Sequence, residues 1–400
     1  MTDLGPPKRR ILFIGGTSEP GGLHIHTAEV TCALADSGHE IAILNLSIDY
    51  FSQLLEGSSV RVDCASAPAA SAGAACFVAW WWLLRPYAGW EMVICRGDAG
   101  DTPLAALLAA RSRAARVFTI EHRPCLPEAA PGPWLRFRRR LGGRLIHRAI
   151  AVSERTRESV TAGGHLPPGK VAICLNWVDA PAFGVTAAAR PGMRARLGIA
   201  EGAMAIGYLG RLAPEKRVDV LIDAFASLRS GRDVRLVLIG DGWKKGELQG
   251  RSRALGNAER VIFAGWQADA AEALAALDIF VLPSLIEGFA LSLLEAMAAG
   301  RLCLAHAMDS AMVAIRDGET GLLGDFTTAS GLAETLGRAL AMPAVERKAI
   351  GAAAARSVAA QFARHLRLPA VLAALEAPEA AALAARTDRA APARHFAFSH

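Results

Sequence analysis

Short apolar runs alternate along this chain with segments of helical periodicity. The segment from Val218 to Leu228, for example, carries apolar residues at the 3.6-residue spacing that places them on one helix face. Apolar runs of three to six residues bounded by turn residues predict buried strands. Such runs are Ile11–Ile14, Ile41–Leu46, Met92–Cys95, Val117–Ile120, Ala149–Val152 and Val171–Leu175 in the first half, and Met204–Leu209, Val234–Ile239, Val261–Phe263, Ile279–Leu282 and Leu302–Ala305 in the second. The alternation predicts an α/β fold, with parallel sheets covered by helices on both sides.

The strand and helix pattern occurs twice. The segment Asp179–Ala200, rich in Pro, Ala and Arg and without an apolar run, separates the two halves. We expect two doubly wound domains, at 1–180 and 200–350, followed by helices at 351–378 that pack back toward the first domain and an Ala-rich disordered tail at 379–400. Sheets of this kind bind ligands at the carboxyl ends of their strands, so the cleft between the domains is the expected site.

Composition narrows the class of protein. Among the 400 residues, 52% are apolar and 20% are charged, which excludes a disordered chain. The net charge of +6 suits an anionic ligand or membrane surface, and over this length it gives little support to nucleic-acid binding. The seven cysteines are scattered without a C-x-x-C motif, so we expect reduced thiols and a cytosolic compartment.

Two apolar segments could be mistaken for membrane signals. Cys64–Leu84 is uncharged and long enough for a membrane span, but Pro68, Ser71 and Gly73 interrupt it, and we expect no span. At the N-terminus only a short apolar run follows the basic residues, so we expect no signal peptide there.

Two cations follow the first strand of the second half. Arg211 and Lys216 lie after Gly210, between the strand that ends at Leu209 and the helix that begins near Val218. Arginine offers a planar fork and lysine a point charge, and together with a helix N-terminus they can hold a diphosphate. Solvated loop cations are the alternative interpretation.

A pair of glutamates follows the strand Ile279–Leu282. Glu287 precedes Gly288 in a turn, and Glu295 falls in the second turn of a helix that starts near Ala290. Glu295 lies among apolar residues, where a carboxylate needs a partner, and ribose hydroxyls would provide one. The unpaired N–H groups at the start of the helix suit a phosphate. Alternatively, the first glutamate favours the helix dipole and the second pairs with an arginine.

The sequence resembles the retaining GT-B glycosyltransferases of family 4, which use nucleotide sugars, and the resemblance is strongest from Gly207 to Gly324. The resemblance covers nearly the whole chain and implies GT-B architecture, with two Rossmann-like domains facing each other across a cleft. It implies that Glu287 lies near the donor sugar and Glu295 at the ribose. The donor-binding residues that it implies are Gly210, Arg211, Lys216, Glu287, Gly288, Phe289, Ala290, Leu291 and Glu295.

The first half carries further motifs that resemble this family. Gly21-Gly22 resembles its glycine pair after the first strand, Gly38-His39-Glu40 its G-H-E before the second, and Ser153-Glu154 its later S-E. His122, after the strand that ends at Ile120, matches a histidine at the sugar end of the cleft. Gly21, Gly22 and His122 are therefore the expected acceptor-side residues, and glycines there let the backbone approach a sugar closely.

Four positions depart from the family pattern. Trp177 and Ala290 stand where the family has glycine, Leu302 where it has proline, and Val313 where a glycine loop ends in glutamate. The two cations and both glutamates match the family pattern. We therefore expect the departures to affect which sugar is recognised and the rate of turnover more than binding of the diphosphate.

The resemblance implies transfer of a sugar from a nucleoside diphosphate sugar to a lipid-linked or growing saccharide acceptor. Arg211, Lys216, Glu287 and His122 would be its catalytic residues. The chain has no Asp-x-Asp motif, and we expect no metal and no cofactor besides the co-substrate. A nucleotide-sugar epimerase fits the glutamate pair less well. A degenerate binding or scaffold protein with little turnover is the alternative from another class.

A basic segment before the sixth strand of the first half predicts a membrane-facing surface. Arg136, Arg140, Arg144 and Arg148 recur every four residues beside an apolar stripe. A basic amphipathic helix suits an anionic membrane surface, here the inner face of the cytoplasmic membrane. In Trp80-Trp81-Trp82 at least one side chain should be exposed, because three successive helical residues cannot share one core face. An ordinary solvated surface helix is the alternative.

Overall fold

The computed structural model describes residues 8–15, 21–46, 50–66, 74–96, 103–124, 133–162, 166–184 and 186–376. The predicted tail at 379–400 and residues Pro68, Ser71 and Gly73 lie outside these ranges. No described helix has the length and apolar character needed to cross a membrane.

The first half forms a seven-stranded parallel sheet with strand order β3-β2-β1-β4-β5-β6-β7. Its strands are β1 Arg10–Gly15, β2 Glu40–Asn45, β3 Arg61–Cys64, β4 Glu91–Arg96, β5 Val117–Glu121, β6 Arg148–Ala151 and β7 Val171–Ile173. Its helices are α1 Gly22–Asp36, α2 Phe51–Leu54, α3 Ala74–Leu83, α4 Leu104–Arg113, α5 Pro133–Leu145 and α6 Glu154–Ala162. Every residue of β5 is buried, as expected for a central parallel strand covered on both faces.

The second half forms a six-stranded parallel sheet with strand order β10-β9-β8-β11-β12-β13. Its strands are β8 Met204–Leu209, β9 Val234–Ile239, β10 Val261–Gly265, β11 Ile279–Leu282, β12 Leu302–His306 and β13 Leu322–Gly324. Its helices are α7 Thr186–Arg196, α8 Val218–Ser227, α9 Lys245–Ala254, α10 Ala270–Ala275, α11 Leu291–Ala298, α12 Asp309–Ala314, α13 Ala329–Ala341 and α14 Ala344–Gln361. The two doubly wound sheets confirm the predicted fold class.

The chain passes between the two halves twice. The outward passage follows β7, and the return passage leads from α14 into the last helix, α15 Arg364–Glu376. The passages lie side by side, because the Val178 N–H donates to the Phe362 carbonyl at 3.0 Å and the Arg364 N–H donates to the Val178 carbonyl at 3.1 Å. Helix α15 then packs on α1 and β6, and its Val371 joins the core of the first half.

Two short strands were not predicted from the sequence, and the end of one helix was predicted at the wrong residue. Strand β3 lies at the edge of its sheet with half-exposed residues, so it lacks an apolar run. Strand β13 has only three residues. Helix α5 ends at Leu145, and Arg148 is a buried residue of β6 whose guanidinium donates to the Ala374 carbonyl at 3.3 Å. The prediction that Arg148 belongs to the membrane-facing surface is therefore wrong.

Candidate active site between the two domains

The first candidate loop connects β8 to α8. Gly210 has a φ of +152°, and a Cβ there would lie 2.6 Å from the hydroxyl of Tyr208, so glycine is required. The Tyr208 hydroxyl donates to the backbone carbonyl of Arg211 at 2.7 Å. The loop after β9 closes on the same place, because a Cβ on Gly240 would overlap the Gly210 carbonyl oxygen. The two strand ends therefore fix Arg211 at the carboxyl edge of the sheet.

Both predicted diphosphate-binding cations are paired with carboxylates. Arg211 Nη2 donates to Glu215 Oε1 at 2.7 Å, and Lys216 Nζ donates to Glu287 Oε1 at 2.6 Å. The second pair joins the loop after β8 to the loop after β11, which the sequence treats as separate motifs. Arg123, from the loop after β5, lies 3.8 Å from Glu215 and brings a cation of the first domain to the same place.

A left-handed residue holds the turn that carries Lys216. Among the described residues Arg217 is the one non-glycine residue with a positive φ, at +52°. Its guanidinium donates to the carbonyls of Phe326 at 3.1 Å and Thr327 at 2.8 Å. These bonds compensate for a backbone conformation that an L-residue rarely adopts, and they fix the point where the turn enters α8.

The two predicted glutamates lie in different electrostatic surroundings. Burial raises the pKa of Glu287, but the charge and hydrogen bond of Lys216 outweigh it and hold that pKa below its usual value. Burial and the nearby carboxyl of Glu29 raise the pKa of Glu295 to about 7. Glu295 is on α11 of the second domain and Glu29 is on α1 of the first, so this contact crosses the domain interface.

At Gly288 the backbones of the two domains approach closely. A Cβ on Gly288 would overlap the backbone carbonyl oxygen of His122 and would lie 3.0 Å from Val152 Cγ2. On the other side of the contact, a Cβ on Gly22 would lie 3.0 Å from Leu291 Cδ1. Gly22 and His122 of the first domain therefore meet the predicted donor loop, Gly288 to Leu291, directly, whereas a Cβ on Gly21 would have no atom within 4 Å.

The start of α11 is held from the first domain. Asn176 Nδ2 donates to the Phe289 carbonyl at 2.7 Å, and both residues are buried. Ala290 is the N-cap of α11 with φ −69° and ψ 113°, and it makes no side-chain cap bond. The backbone at position 290 therefore does not require glycine. The first turn of α11, whose N–H groups have no partner within the helix, begins four residues after Glu287.

Two histidines that the sequence did not identify complete the first domain's side of the site. His24 and His26, in the first turns of α1, are 1% and 2% exposed. The ring of His26 packs 4.9 Å from that of His122 and 4.4 Å from that of Trp177. Burial, with the charges of neighbouring histidines, lowers the pKa of His26 and brings that of His122 to about 4. Their position directly after Gly21-Gly22 is the sequence feature that could have identified them as site residues.

The other departures from the family pattern have separate structural roles. Trp177 is buried, and its indole N–H donates to Glu29. Leu302 is 1% exposed at the start of β12 and belongs to the second domain's core. Val313 is 43% exposed on α12. Trp177 and Ala290 therefore lie at the interface that contains the site, and α12, which carries Val313, packs against α6 of the first domain.

Helix α5 presents a basic and aromatic face to solvent. Trp134 and Phe137 are 70% and 55% exposed, and their rings stack with centroids 5.7 Å apart. Arg136, Arg140 and Arg144 are exposed beside them. The Trp80–Trp82 triplet divides as expected, with Trp80 buried and Trp82 55% exposed.

No group of three or more His, Cys, Asp or Glu side chains able to hold a metal ion occurs within the described ranges.

Two facing parallel α/β domains, with cations and helix N-termini at the interface between their strand ends, define the GT-B class of glycosyltransferase. The solved structure of Anabaena Alr3699/HepE, described in complex with UDP and glucose, superposes with a TM-score of 0.75 at 20% identity, over 92% of this chain and 99% of that one. The structure of WaaG, a glycosyltransferase involved in lipopolysaccharide biosynthesis, superposes with a TM-score of 0.70 at 19% identity, over 91% and 98%. At these identities the likeness shows the fold.

Two protein families match this chain, one over each half. The family described as Glycosyltransferase Family 4 matches residues 20–180, and that described as Glycosyl transferases group 1 matches residues 190–357. The chain belongs to the group 1 glycosyltransferases of GT-B fold.

Two curated relatives illustrate how far this similarity extends. A D-inositol 3-phosphate glycosyltransferase from Actinosynnema mirum is 34% identical over 216 residues, 51% of each chain. The lipopolysaccharide core biosynthesis glycosyltransferase LpsE from Rhizobium meliloti is 36% identical over 143 residues, 36% of this chain and 41% of its own. The chain therefore spans about half the length of the curated relatives that it matches.

Proposed function

We propose that this protein transfers a sugar from a nucleoside diphosphate sugar to a lipid-linked or saccharide acceptor, with retention of the anomeric configuration. The observation that carries the proposal is the ion pair of Lys216 with Glu287, next to Gly288, whose backbone lies against that of His122. Arg211 lies on the same loop as Lys216, between β8 and α8. One side of the interface then offers cations and backbone N–H groups, and the other offers imidazoles and glycine backbone.

The chemistry follows from where charge develops. As the glycosidic bond breaks, the departing diphosphate gains negative charge, and Arg211, Lys216 and the first N–H groups of α11 stabilise it. In this role Lys216 exchanges Glu287 for the phosphate, since the two groups compete for one ammonium. Glu287 then faces the donor sugar, and Glu295 accepts hydrogen bonds from the ribose hydroxyls.

The same residues support a reaction without a metal ion. Arg211 and Lys216 supply two positive charges where a divalent cation would otherwise neutralise the leaving group. We assign no covalent nucleophile. The acceptor hydroxyl attacks from the face that the diphosphate leaves, and its proton passes to the departing phosphate oxygen. No cofactor besides the nucleotide-sugar co-substrate is part of the proposal.

We place the protein in the cytoplasm, at the inner face of the cytoplasmic membrane and in the synthesis of cell-envelope saccharides. The exposed face of α5 supports this, because arginines beside exposed Trp134 and Phe137 combine attraction to anionic headgroups with apolar insertion. Such a position brings a lipid-linked acceptor to the first domain.

The donor site is tested by calorimetric titration with UDP, GDP, ADP and their glucose conjugates, with Mg²⁺ and with EDTA. We expect one nucleotide to bind, with affinity kept in EDTA. Arg211→Ala should weaken it about 10- to 100-fold, the usual cost of a hydrogen bond between charged groups. The matched control is Arg229→Ala, an exposed arginine before β9, at the opposite edge of the sheet. Equal affinities for both variants would refute the assignment.

A binding protein with little turnover is the second candidate. Its specific support is Val313, an exposed apolar side chain on α12 where the family pattern has glutamate. Nucleotide-sugar binding without donor hydrolysis or transfer, over a panel of acceptors, would favour it.

A further inference from the structure

The interface between the two domains buries ring nitrogens that have no partner. Neither nitrogen of His24 or of His26 accepts or donates a hydrogen bond within the described part of the chain, and Nε2 of His122 is in the same position. The Gly21 carbonyl lies near the His24 ring and favours its proton, but it does not reach hydrogen-bonding geometry. A buried polar group without a partner costs about 1–3 kcal/mol, so five such atoms in one cluster need an explanation.

The three rings form one group. His26 touches His122 edge to face, and His24 is near enough to His122 to lower its pKa. Tyr50 and Phe51 pack against the far side of His24, at ring distances of 5.6 and 5.0 Å. The positive charge of Arg211 reaches His24 from the second domain. The cluster therefore lies between the first domain's core and the proposed diphosphate site.

The second domain packs beside the cluster at two places. Leu291 closes on Gly22, two residues before His24, and Gly288 closes on the backbone of His122. Separation of the domains would remove these contacts and admit a ligand, whereas the aromatic floor stays in place.

The protonation state of the rings indicates the chemistry of the ligand. Burial lowers the pKa of all three histidines, so each ring is neutral at pH 7 and carries one donor and one acceptor. A sugar hydroxyl also donates one hydrogen bond and accepts others. A phosphate or carboxylate needs donors alone, and half of these ring nitrogens would repel it.

We infer that His24 and His26, with His122, form a subsite for the hydroxyl groups of an uncharged sugar ring. The inference rests on the proposed glycosyltransferase function, and it adds two residues and the class of group that they receive. That ring is supplied either by the acceptor or by the donor's glycosyl group.

The test uses the full chain with ¹⁵N-labelled histidine rings, followed by NMR at pH 7.5. The probes are UDP, UDP-glucose and inorganic phosphate, and three free sugars (glucose, galactose and N-acetylglucosamine), each with and without UDP. If calorimetry selects GDP or ADP, that nucleotide and its glucose conjugate replace UDP and UDP-glucose. We expect a sugar to shift the cluster's ring nitrogens and leave them neutral. A response to the glucose conjugate alone assigns the donor's sugar, and a response to a free sugar assigns the acceptor. Histidines that respond to no sugar, or that become protonated with phosphate, would overturn the inference.

His24→Phe and His26→Phe keep the ring volume and remove the nitrogens. We expect each to raise the Tm of the unliganded protein by about 1–4 °C, because an unsatisfied buried group is removed. Each should also weaken the sugar response at least about 10-fold, with the affinity for the nucleoside diphosphate kept. His365→Phe, on the exposed side of α15, is the matched control.

The outcomes separate the two proposals. A lower Tm with an unchanged sugar response would give these histidines a structural role and end the inference. A sugar response without any nucleotide binding would refute the transferase proposal and leave the subsite.

Discussion

At the scale of single residues, Glu287 and Glu295 show how one side-chain type serves two purposes within one loop and helix. Lys216 compensates for the burial of Glu287 and keeps it ionised. Burial and the neighbouring carboxyl of Glu29 raise the pKa of Glu295 to about 7, so it retains its proton to about that pH. The first carboxylate positions a cation, and the second is held ready for a ligand that brings hydrogen-bond donors.

The raised pKa of Glu295 makes stability depend on pH. The unfolded carboxyl ionises near 4.5 and the folded one near 7, so between these values the folded state binds more protons and loses stability as pH rises. The whole effect is about 3 kcal/mol. Below pH 6.5 the buried histidines act in the opposite direction, because their lowered pKa values make the folded state bind fewer protons. That contribution is common to wild type and Glu295→Gln, so we expect the Tm of the unliganded wild type, measured relative to Glu295→Gln, to fall from pH 5 to pH 8. Measured relative to Glu334→Gln, a change on the exposed face of α13, it should not depend on pH.

The affinity for the donor nucleotide should increase with pH. In the proposed donor complex ribose hydroxyls would donate to the ionised Glu295 carboxylate. The affinity for the selected nucleoside diphosphate should therefore rise between pH 5.5 and 8 in wild type and stay level in Glu295→Gln. A titration series across this range checks it. An affinity that falls with pH in wild type would contradict the role of Glu295.

At the scale of elements, the long apolar strands could be predicted to within about two residues, because turn residues bound each run. Strand β3 could not, since an edge strand with half-exposed residues has no apolar run. Arg148 fitted a helical spacing of four, but the chain had already turned into β6. Of the candidate site, the residues that lie in recognisable motifs were found. His24 and His26 were not, because they lie outside those motifs and the rings that pack against them are distant in sequence.

Substitutions on helix α5 test the proposal that the protein binds a membrane surface. Gly142 and Gly143 are buried where α5 crosses α4, so the helix keeps its opposite face for solvent. Changing Arg136, Arg140 and Arg144 together to Glu should weaken flotation with anionic vesicles at least about 100-fold at low salt, since each cation contributes about 1 kcal/mol. The control reverses Arg229, Arg232 and Arg253, three exposed arginines of the second domain. Equal loss in both variants would assign binding to net charge instead of α5.

At the scale of the whole molecule, the site exists only where the two domains meet. The two chain passages, hydrogen-bonded to each other at Val178, provide the connection about which the domains can move. Around the site the contacts are the Asn176 bond to Phe289, the glycine contacts of Gly22 and Gly288, and the approach of Arg123 to Glu215. The proposed donor loop and the proposed acceptor-side residues therefore come into position together, which would link domain closure to assembly of the site.

Gly288→Ala should separate closure from folding. The added methyl would overlap the His122 carbonyl oxygen, which is backbone and cannot rotate away, so the domains must move apart. Each domain keeps its own core, and we expect circular dichroism to stay the same while small-angle scattering shows a more open molecule. Transfer should fall at least about 100-fold, because the proposed catalytic groups of the two domains no longer meet. Gly337→Ala, on α13 with open space around it, should leave both scattering and transfer unchanged. A Gly288→Ala protein with wild-type scattering and wild-type transfer would show that this contact does not control assembly of the site.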